Sequence, residues 1–495
     1  MARHLLGIDV GTTGTKTMLV REDGRFVAHA YAAYPLSNPA PGMSEQNAQD
    51  WWHAVRKTVR EVMSAISPGD EVAALSLSTQ GGTMVPVDGE GTPLRPAIVW
   101  NDTRCASQRA QFISRFGEDR MYRASGWKLG KGLNALEIAW VREHEPEVFK
   151  RARYFLSVPD YLSFHLTGAC HVDMSNAGIN QLADIRRKAY DPDLMAFAGV
   201  DESQMARLAD SGQPLGYLTE QAARELGVGG RVLLVTGAHD QYAACLGAGV
   251  TGPGSAMIGS GTAWVVTALN DAPDFSRGFA QSRSALQDLW GSLVSLSTGG
   301  VCLDWLLHSV IGPEPAPEKP DYDRLNREIA RLNAGADGLM FFPYFGSASL
   351  PVPPADWHAG FLGMDLSHNR YHLARAVMEG VACHIAWVLE QFPGGGQTPV
   401  VLSGGAGKSA PWRQLLADML DRPLRIPANP DLPCVGAAVL AGVGSGVFAD
   451  ARQALDRMSG RETTVSPIPE NVAAYRPYQA RYRRRAEGLA ALYSE

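Results

Sequence analysis

A short strand, a glycine-rich turn and a second strand occur near the start of each half of the chain, and this recurrence limits the folds available to it. In the first half, residues 4–10 and 16–21 have strand character and flank the first turn. In the second half, residues 255–259 and 263–268 flank a Ser-Gly-Thr turn. Apolar runs of this length, bounded by glycine and threonine, are typical of buried strands. The pattern predicts two similarly built α/β domains.

Each half continues with a helix and a second glycine loop. In the first half, residues 48–63 have helical periodicity, and the strand at 72–78 ends in Thr-Gln-Gly-Gly. In the second half, the strand at 398–402 ends in Ser-Gly-Gly-Ala and precedes a helix at 411–420. The domains are therefore predicted as residues 1–243 and 244–495. Prolines in the segment 313–320 predict a surface loop and not a domain linker.

The overall charge and the cysteines exclude several classes of protein. With 45 basic and 51 acidic residues, the formal net charge is −6, which argues against nucleic acid as the main partner. No apolar run is long enough to span a membrane, and the N-terminus lacks the pattern of a secretory signal. The six cysteines show no metal-binding or disulfide spacing, which predicts reduced thiols in a cytoplasmic protein.

The first glycine turn reads Asp-Val-Gly-Thr-Thr-Gly-Thr-Lys over residues 9–16. A tight turn of this composition exposes backbone N–H groups and hydroxyls at one point, which suits phosphate oxygens. Asp9, at the end of the strand, can hold the Mg²⁺ that accompanies a nucleotide, directly or through water. The alternative is a hairpin in which Asp9 caps the turn. Gly-Thr-Thr after an apolar strand and an aspartate favours the phosphate site.

A second aspartate, Asp240, follows the strand at 232–235 within the sequence Gly-Ala-His-Asp-Gln. Just past a strand end, its carboxylate can face a cleft and accept the proton of a hydroxyl that attacks phosphorus. The same residue can cap the helix that begins near Gln241. A capping position also orients a carboxylate, so both interpretations stay open.

A third glycine cluster, Ser-Gly-Gly-Ala-Gly-Lys-Ser, occupies residues 403–409 between a strand and a helix. It is similar to a P-loop, but Leu402 stands where a P-loop requires glycine. A turn with almost no side chains lets a flat ring or a ribose approach the backbone closely. The cluster favours a nucleoside site over a plain strand-to-helix turn.

The segment Trp-Asn-Asp-Thr-Arg at residues 100–104 has two interpretations. Trp100 with Asn101, Asp102 and Arg104 can recognise a polyhydroxylated ligand by stacking and directional hydrogen bonds. Taken alone, the segment is better explained as a buried tryptophan beside a structural Asp–Arg pair.

Taken together, these motifs resemble the FGGY carbohydrate kinases, members of the actin/Hsp70/sugar kinase superfamily. The matches cover nearly the whole chain in the family's order and include residues 9–16, 45–46, 78–82, 100–104, 237–241, 259–262 and 403–406. The resemblance implies two ribonuclease-H-like α/β domains around a central cleft. The sugar is expected on the side of residues 1–243, and ATP on the side of residues 244–495.

The resemblance also implies the activity, ATP-dependent phosphorylation of a sugar hydroxyl, with ATP and Mg²⁺ as cofactors. Asp240 is implied to be the general base, and Asp9 to bind Mg²⁺ through water. The implied ligands of ATP are Gly11, Thr12, Thr13, Lys16, Gly261, Thr262, Gly404, Gly405 and Ala406. The implied ligands of the sugar are Gln80, Gly81, Gly82, Trp100, Asp102, Asp240 and Gln241.

Within the family, residues 45–52 and 94–104 are most similar to xylulokinases, which implies a ketopentose such as D-xylulose and the product D-xylulose 5-phosphate. Other residues differ from that branch. The His239-Asp240 pair is similar to rhamnulokinases and fuculokinases, and Gln241 is similar to glycerol kinases. Xylulokinases carry Met and His at the positions of Gly81 and Gly82, which predicts room here for a different or bulkier polyol.

Several alternatives therefore stay open at this point. L-rhamnulose, L-fuculose, gluconate and glycerol are the other substrates considered. A nucleotide-dependent switch protein of the actin/Hsp70 type is the alternative from another class, and Asp240 argues against it because a switch needs no hydroxyl base. The expected partners are a small-molecule sugar and ATP, with no nucleic acid and no membrane, and a homodimer is allowed.

Overall fold

In the computed structural model, two large mixed sheets organise the chain. The structure describes residues 2–130, 132–296, 298–312, 321–346, 350–352, 358–392, 398–458, 460 and 462–493. The segment 313–320, expected to be a surface loop, lies outside the described residues. Across the described ranges, no helix has both the length and the apolar character needed to cross a bilayer.

The first sheet has six strands in the order β5-β6-β4-β1-β2-β3. The strands are β1 (Arg3–Val10), β2 (Gly14–Arg21), β3 (Phe26–Ala33), β4 (Glu71–Thr79), β5 (Pro214–Tyr217) and β6 (Leu233–His239). The first three form an antiparallel meander, whereas β4 is parallel to both β1 and β6. The carboxyl ends of β1, β4 and β6 therefore lie at the same edge of the sheet.

The second sheet has seven strands in the order β9-β10-β8-β7-β11-β12-β13. The strands are β7 (Ala256–Ser260), β8 (Trp264–Asn270), β9 (Ala280–Arg283), β10 (Trp290–Leu296), β11 (Val400–Gly404), β12 (Leu424–Ile426) and β13 (Thr463–Val465). Here too an antiparallel meander, β7-β8-β10, is followed by parallel pairing of β7 with β11 and of β11 with β12. The prediction of two similarly built α/β domains is confirmed.

Helix α1 (Ala48–Met63) illustrates how the sequence specifies an element that covers a sheet. The side chain of Asn47 caps the helix by accepting the N–H of Gln49. Trp51, Val55 and Val59 recur at intervals of four and are buried in the core of the first sheet. A stripe with this spacing lies on one face of a helix, so the sequence predicts both the helix and its buried side.

Two helices join the two halves of the chain. Helix α2 (Asp240–Gly247) follows β6 directly, and helix α5 (Leu432–Gly444) packs against α2 and the first sheet. Gly436 lies so close to α2 that an added Cβ would be 1.9 Å from the carbonyl oxygen of Ala243. The boundary between residues 243 and 244 falls inside α2, and it stays a prediction.

Three long helices complete the second half: α3 (Arg370–Leu389), α4 (Ala410–Leu420) and α6 (Pro469–Leu492). The other helical segments are Ala106–Phe116, Asp119–Ser125, Asn134–His144, Pro146–Arg151, Val158–Thr167, Met174–Ile179, Pro192–Ala198, Glu202–Gln204, Glu220–Leu226, Gly299–Trp305, Leu306–Val310, Tyr322–Ile329, Ala336–Gly338, Gly405–Lys408 and Ala451–Met458. The short strands are Glu45–Gln46, Val85–Val87, Ala97–Ile98, Tyr154–Leu156, His171–Asp173, Ala183–Asp184, Ala189–Tyr190, Arg207–Ala209, Met340–Phe342 and Gly360–Leu362.

Candidate active site

Three of the motifs identified in the sequence meet at one edge of the first sheet. The register pairs Asp9 of β1 with Ser78 of β4, and it pairs Thr79 of β4 with His239 of β6. Because these strands are parallel, the residues that follow them emerge side by side, and ligands of open α/β sheets bind at such carboxyl ends. The two aspartates, Asp9 and Asp240, therefore lie on either side of β4.

Asp9 is held in place and is half-buried. Its Oδ1 accepts a hydrogen bond from Ser78 Oγ at 2.8 Å. Burial has the largest effect on Asp9, followed by the negative charge of Asp240, and together they raise the pKa of Asp9 to about 7. The hydrogen bond from Ser78 and the positive charge of Lys16 act in the opposite direction and lower this pKa. A cation beside this carboxylate would stabilise its charged form.

Asp240 is the first residue of α2, and its carboxylate is free. The N-cap of that helix is His239, so the interpretation of Asp240 as the cap is wrong. The side chain of Asp240 is 29% exposed, and Nδ1 of His239 lies 3.6 Å from its Oδ1. Within the described ranges no donor forms a hydrogen bond to this carboxylate. The carboxylate is thus available to accept a proton.

The first glycine turn, residues 11–14, is held by a network of side-chain amides. Thr12 Oγ1 donates to Oε1 of Gln80 at 3.0 Å, and Nε2 of Gln46 donates to the carbonyl oxygen of Thr12 at 2.5 Å. Nε2 of Gln80 donates in turn to Oε1 of Gln46 at 3.0 Å. Gln80 is buried and uses both ends of its amide in this network. These contacts favour a role for Gln80 in fixing the turn over the implied contact with the sugar.

The segment at residues 100–104 combines both of its interpretations. Trp100 is 46% exposed, and its Nε1 donates to Oγ1 of Thr12 at 3.1 Å, so it is not the buried tryptophan of the structural interpretation. Asp102, however, has a side chain only 1% exposed and pairs with Arg104 at 2.7 Å. It also accepts the N–H of Ser44 at 2.6 Å. Trp100 is available to a ligand, whereas the contacts of Asp102 favour a structural role.

The prediction of extra room at Gly81 and Gly82 is wrong. A Cβ on Gly81 would lie 2.6 Å from Cδ2 of His239 and 2.7 Å from Cγ2 of Ile179. A Cβ on Gly82 would lie 2.6 Å from Cδ2 of Leu133. Neighbouring side chains fill the space that the glycines leave. The two glycines allow this packing and do not enlarge the site.

Lys16 connects the first glycine turn to the second half of the chain. Its Nζ lies 2.6 Å from Oδ1 of Asp431, the residue just before α5. Both charges also act on Asp9. Lys16 stabilises the ionised carboxylate of Asp9, whereas Asp431 destabilises it. The implied contact of Lys16 with a phosphate group stays a prediction.

The two glycine motifs predicted to bind the nucleotide also meet at the carboxyl ends of parallel strands. Ser260, the last residue of β7, pairs with Gly404, the last residue of β11. The hydroxyl of Ser260 donates to the carbonyl oxygen of Ser403 and accepts the N–H of Ala406 at 3.0 Å, which ties the two loops together. Gly404 has a φ of +90°, a conformation that favours glycine.

A cavity of about 500 Å³ opens beside these loops. Gly261, Thr262, Gly405 and Ala406 line it as the sequence predicts, together with apolar and polar side chains that the sequence analysis did not identify. These further residues include Leu303, Tyr322, Asn326, Met378 and Trp412. An apolar cavity with a few polar groups is the usual form of a small-molecule site. The further residues come from helices far apart in sequence, and no local pattern marks them.

Gln46 and His239 are two residues of the sugar side to which the sequence analysis gave no role of their own. Gln46 lies in the family motif at residues 45–46. Its hydrogen bond to Thr12 joins residues 34 positions apart, so no local pattern predicts it. His239 was noted only as a neighbour of Asp240. Its burial against Gly81 depends on the pairing of β4 with β6, which the sequence does not reveal.

Comparison with known proteins finds two family models that match the chain. The model of the FGGY family of carbohydrate kinases, N-terminal domain, matches residues 4–247, and the model of the C-terminal domain of the same family matches residues 256–445. Together the two models cover most of the chain. The fold of two ribonuclease-H-like domains that the motifs implied is thereby confirmed.

Individual relatives include kinases named for different substrates. The chain is 29% identical to a xylulose kinase of Bacillus subtilis, over 96% of this chain and 95% of the relative. It is 25% identical to a gluconokinase of the same organism, over 96% of this chain and 94% of the relative. Among solved structures, a xylulose kinase from Rhodospirillum rubrum superposes with a TM-score of 0.91 at 26% identity, covering 100% of both chains.

Proposed function

The chain belongs to the FGGY family of carbohydrate kinases and is an ATP-dependent sugar kinase, and from this premise we propose that its substrate is D-xylulose and its product D-xylulose 5-phosphate. The observation that carries the proposal is the 29% identity to a xylulose kinase over 96% of the chain. The similarity of residues 45–52 and 94–104 to xylulokinases supports it from the sequence.

The charges beside the sugar residues support a neutral sugar over a sugar acid. Arg104 pairs with Asp102 at 2.7 Å and with Glu45 at 2.8 Å. Arg95 pairs with Glu45 at 2.6 Å and with Glu145 at 3.0 Å. Since both guanidinium groups are already neutralised, neither is free to pair with the carboxylate of a substrate such as gluconate.

In the proposed reaction, the sugar lies against Trp100 and beside Asp240 and Gln241. Asp240 accepts the proton of the attacking hydroxyl, whose oxygen forms a bond to the γ-phosphorus as the bond to ADP breaks. Gly11, Thr12 and Thr13 lie against the γ-phosphate, while Gly261 and Thr262 contact the other phosphates. The adenosine occupies the cavity beside Gly404, Gly405 and Ala406. Such a reaction depends on positioning and charge neutralisation, with one base for the nucleophile.

The residues present fit a magnesium ion held through water. Among the described residues, no cluster of three or more His, Cys, Asp or Glu side chains suits a metal ion. Mg²⁺, however, usually binds one or two carboxylates together with waters and substrate phosphates. Burial and the charge of Asp240 raise the pKa of Asp9, and a bound cation would counter both effects. When bound, Mg²⁺ neutralises the charge on the phosphates of ATP.

Replacing Asp9 by Asn tests the proposed magnesium site. The amide keeps the shape of the side chain but removes its charge, so the Mg²⁺ concentration for half-maximal rate should rise about 10- to 100-fold. The measurement is initial rate against free Mg²⁺ at fixed ATP and sugar. Asp119→Asn, which removes an exposed carboxylate on the helix Asp119–Ser125, is the matched control and should leave the curve unchanged. An unchanged Mg²⁺ requirement in Asp9→Asn would contradict the assignment.

The substrate is tested by a coupled assay of ADP release across ketopentoses, 6-deoxyketoses, polyols and gluconate. We expect the highest kcat/KM with D-xylulose. A kcat/KM at least tenfold higher for L-rhamnulose, L-fuculose, glycerol or gluconate would replace D-xylulose and leave the kinase assignment intact. ADP release at the same rate with and without each sugar would instead favour the nucleotide-dependent switch protein.

We also propose a cytoplasmic location, since all six cysteines are free thiols and five of them are buried. Disulfides form in oxidising compartments, and buried free thiols are typical of reducing ones. The homodimer that the family resemblance allows stays a prediction, which light scattering of the purified chain would test.

A further inference from the structure

His239 occupies an unusual place for a titratable side chain. It is the last residue of β6, directly before Asp240, and its side chain is only 7% exposed. The ring packs near Trp127, with ring centroids 6.2 Å apart, and near Tyr242, with centroids 5.8 Å apart. The surrounding groups therefore hold the imidazole in one orientation.

The backbone of His239 is fixed as firmly as its ring. Its N–H donates to Oγ of Ser175 at 2.8 Å, and that hydroxyl donates to Asp173. Asp173 also accepts the N–H of Asn176 at 2.9 Å and so caps the helix Met174–Ile179. These contacts connect the end of β6 to a second element of the first half of the chain.

Gly81 makes room for the imidazole. With a Cβ at this position, the distance to Cδ2 of His239 would be 2.6 Å, closer than side-chain carbons approach one another. Gly81 does not have a positive φ, so its backbone conformation does not require glycine. The position of the ring provides a physical reason for glycine there.

Nδ1 of His239 is buried and has no hydrogen-bond partner within the described ranges. The carboxylate oxygen Oδ1 of Asp240 lies 3.6 Å from it. Buried polar atoms are nearly always satisfied, so an unpaired one beside a catalytic group needs an explanation. Asp240 for its part accepts no hydrogen bond from the described residues, although a general base must be held in a defined orientation.

We propose that His239 is a positioning residue for Asp240. In its Nδ1–H tautomer, His239 donates to Oδ1 of Asp240 when the carboxylate turns by a small amount. The other carboxylate oxygen then faces the sugar hydroxyl and accepts its proton. Gly81 contributes to this arrangement, because the absence of its side chain leaves space for the imidazole beside Asp240. This inference rests on the proposed role of Asp240 as the general base.

Two substitutions of His239 differ in whether they keep a hydrogen-bond donor at the position of Nδ1. In His239→Asn, the amide nitrogen lies the same number of bonds from Cα as Nδ1 and keeps a donor, whereas His239→Leu keeps the bulk and removes the donor. We expect His239→Leu to lower kcat about 10- to 100-fold, with the KM for the sugar and for ATP within about threefold of wild type. His239→Asn should keep kcat within about fivefold of wild type. His144→Asn, the same change at an exposed histidine distant in sequence from His239, is the control and should leave kcat unchanged.

Gly81→Ala provides an independent test if His239→Leu does not fold. The new methyl group displaces the imidazole, so kcat should fall in the same way while the KM values stay near wild type. In a His239→Ala background the contact with the imidazole is gone and the contact with Ile179 remains, so the same substitution should have a much smaller further effect on kcat. A full effect of Gly81→Ala in that background would overturn the proposal.

The remaining outcomes separate this inference from the proposed function. Equal losses in His239→Leu and His239→Asn, or a kcat of His239→Leu within threefold of wild type, would overturn the positioning role. Asp240→Asn is measured in parallel. If Asp240→Asn is inactive while His239→Leu is normal, only the inference about His239 fails. If Asp240→Asn is active, the assignment of the base fails as well.

Discussion

Replacing Asp240 by Asn should lower kcat for sugar phosphorylation by about 100- to 10,000-fold, the usual contribution of a general base. The amide has nearly the same shape as the carboxylate, but it cannot accept the proton of the attacking hydroxyl. The carboxylate of Asp240 accepts no hydrogen bond from the described residues, and its α2 helix begins at this residue without using its side chain as a cap. The substitution should therefore leave the fold intact.

ATP binding should survive the substitution, because the cavity beside Gly405 and Ala406 belongs to the second half of the chain. The measurements are kcat from ADP release and the Kd of ATP from calorimetry. Glu147→Gln, the same chemical change at an exposed position, is the control and should have wild-type values for both. A kcat within tenfold of wild type for Asp240→Asn would remove the proposed base and with it the reaction scheme.

The local elements could be predicted from the sequence because their causes are local. Helix α1 has the predicted bounds, Ala48–Met63. Both its cap and its buried stripe are formed by residues of the same short segment, so they can be recognised in the sequence. The β1–β2 hairpin was likewise predictable from two apolar runs around a glycine turn. The meeting of Asp9, Ser78 and His239 was not, because it depends on which strands pair, and that choice is made by packing across the whole domain.

The errors at the site have the same cause. A sequence reveals that Gly81 and Gly82 lack side chains, but it does not reveal that Ile179 and Leu133 fill the space. The pair of Asp102 and Arg104 was predictable because the two residues are close in the chain. The exposure of Trp100 was not, since its partner Thr12 is 88 residues away. Chemistry that depends on neighbours in sequence is therefore predictable, and chemistry that depends on neighbours in space is not.

A substitution where helices α2 and α5 pack together should have a large effect on stability. Gly436→Ala adds a methyl group to α5, where its Cβ would lie 1.9 Å from the carbonyl oxygen of Ala243 in α2. In an open helix the change from Gly to Ala stabilises by about 1 kcal/mol. Here the two helices must separate to admit the methyl group, and overpacking of this kind costs about 1–3 kcal/mol or more. We expect a net loss of stability and a lower Tm.

Gly488→Ala is the matched control, because Gly488 also lies in a helix, α6, and has no neighbouring atom within 4 Å of an added Cβ. It should raise the free energy of unfolding by about 0.5–1 kcal/mol, so the two substitutions should have opposite signs. Stability is measured by thermal and urea unfolding, and kcat is measured well below the Tm of each variant. A Gly436→Ala variant as stable as Gly488→Ala would mean that α2 and α5 are not in close contact.

The same substitution should reduce activity in the molecules that remain folded. Helix α2 begins at Asp240, so a separation of α2 from α5 moves the proposed base relative to the edge of the first sheet. Displacing a catalytic group by about 1 Å can cost about 100-fold in rate. Gly436→Ala should therefore lower kcat about 10- to 100-fold at a temperature where it is fully folded, whereas Gly488→Ala should keep the wild-type value. A normal kcat in folded Gly436→Ala would show that the position of Asp240 is set by β6 alone and not by the helix packing behind it.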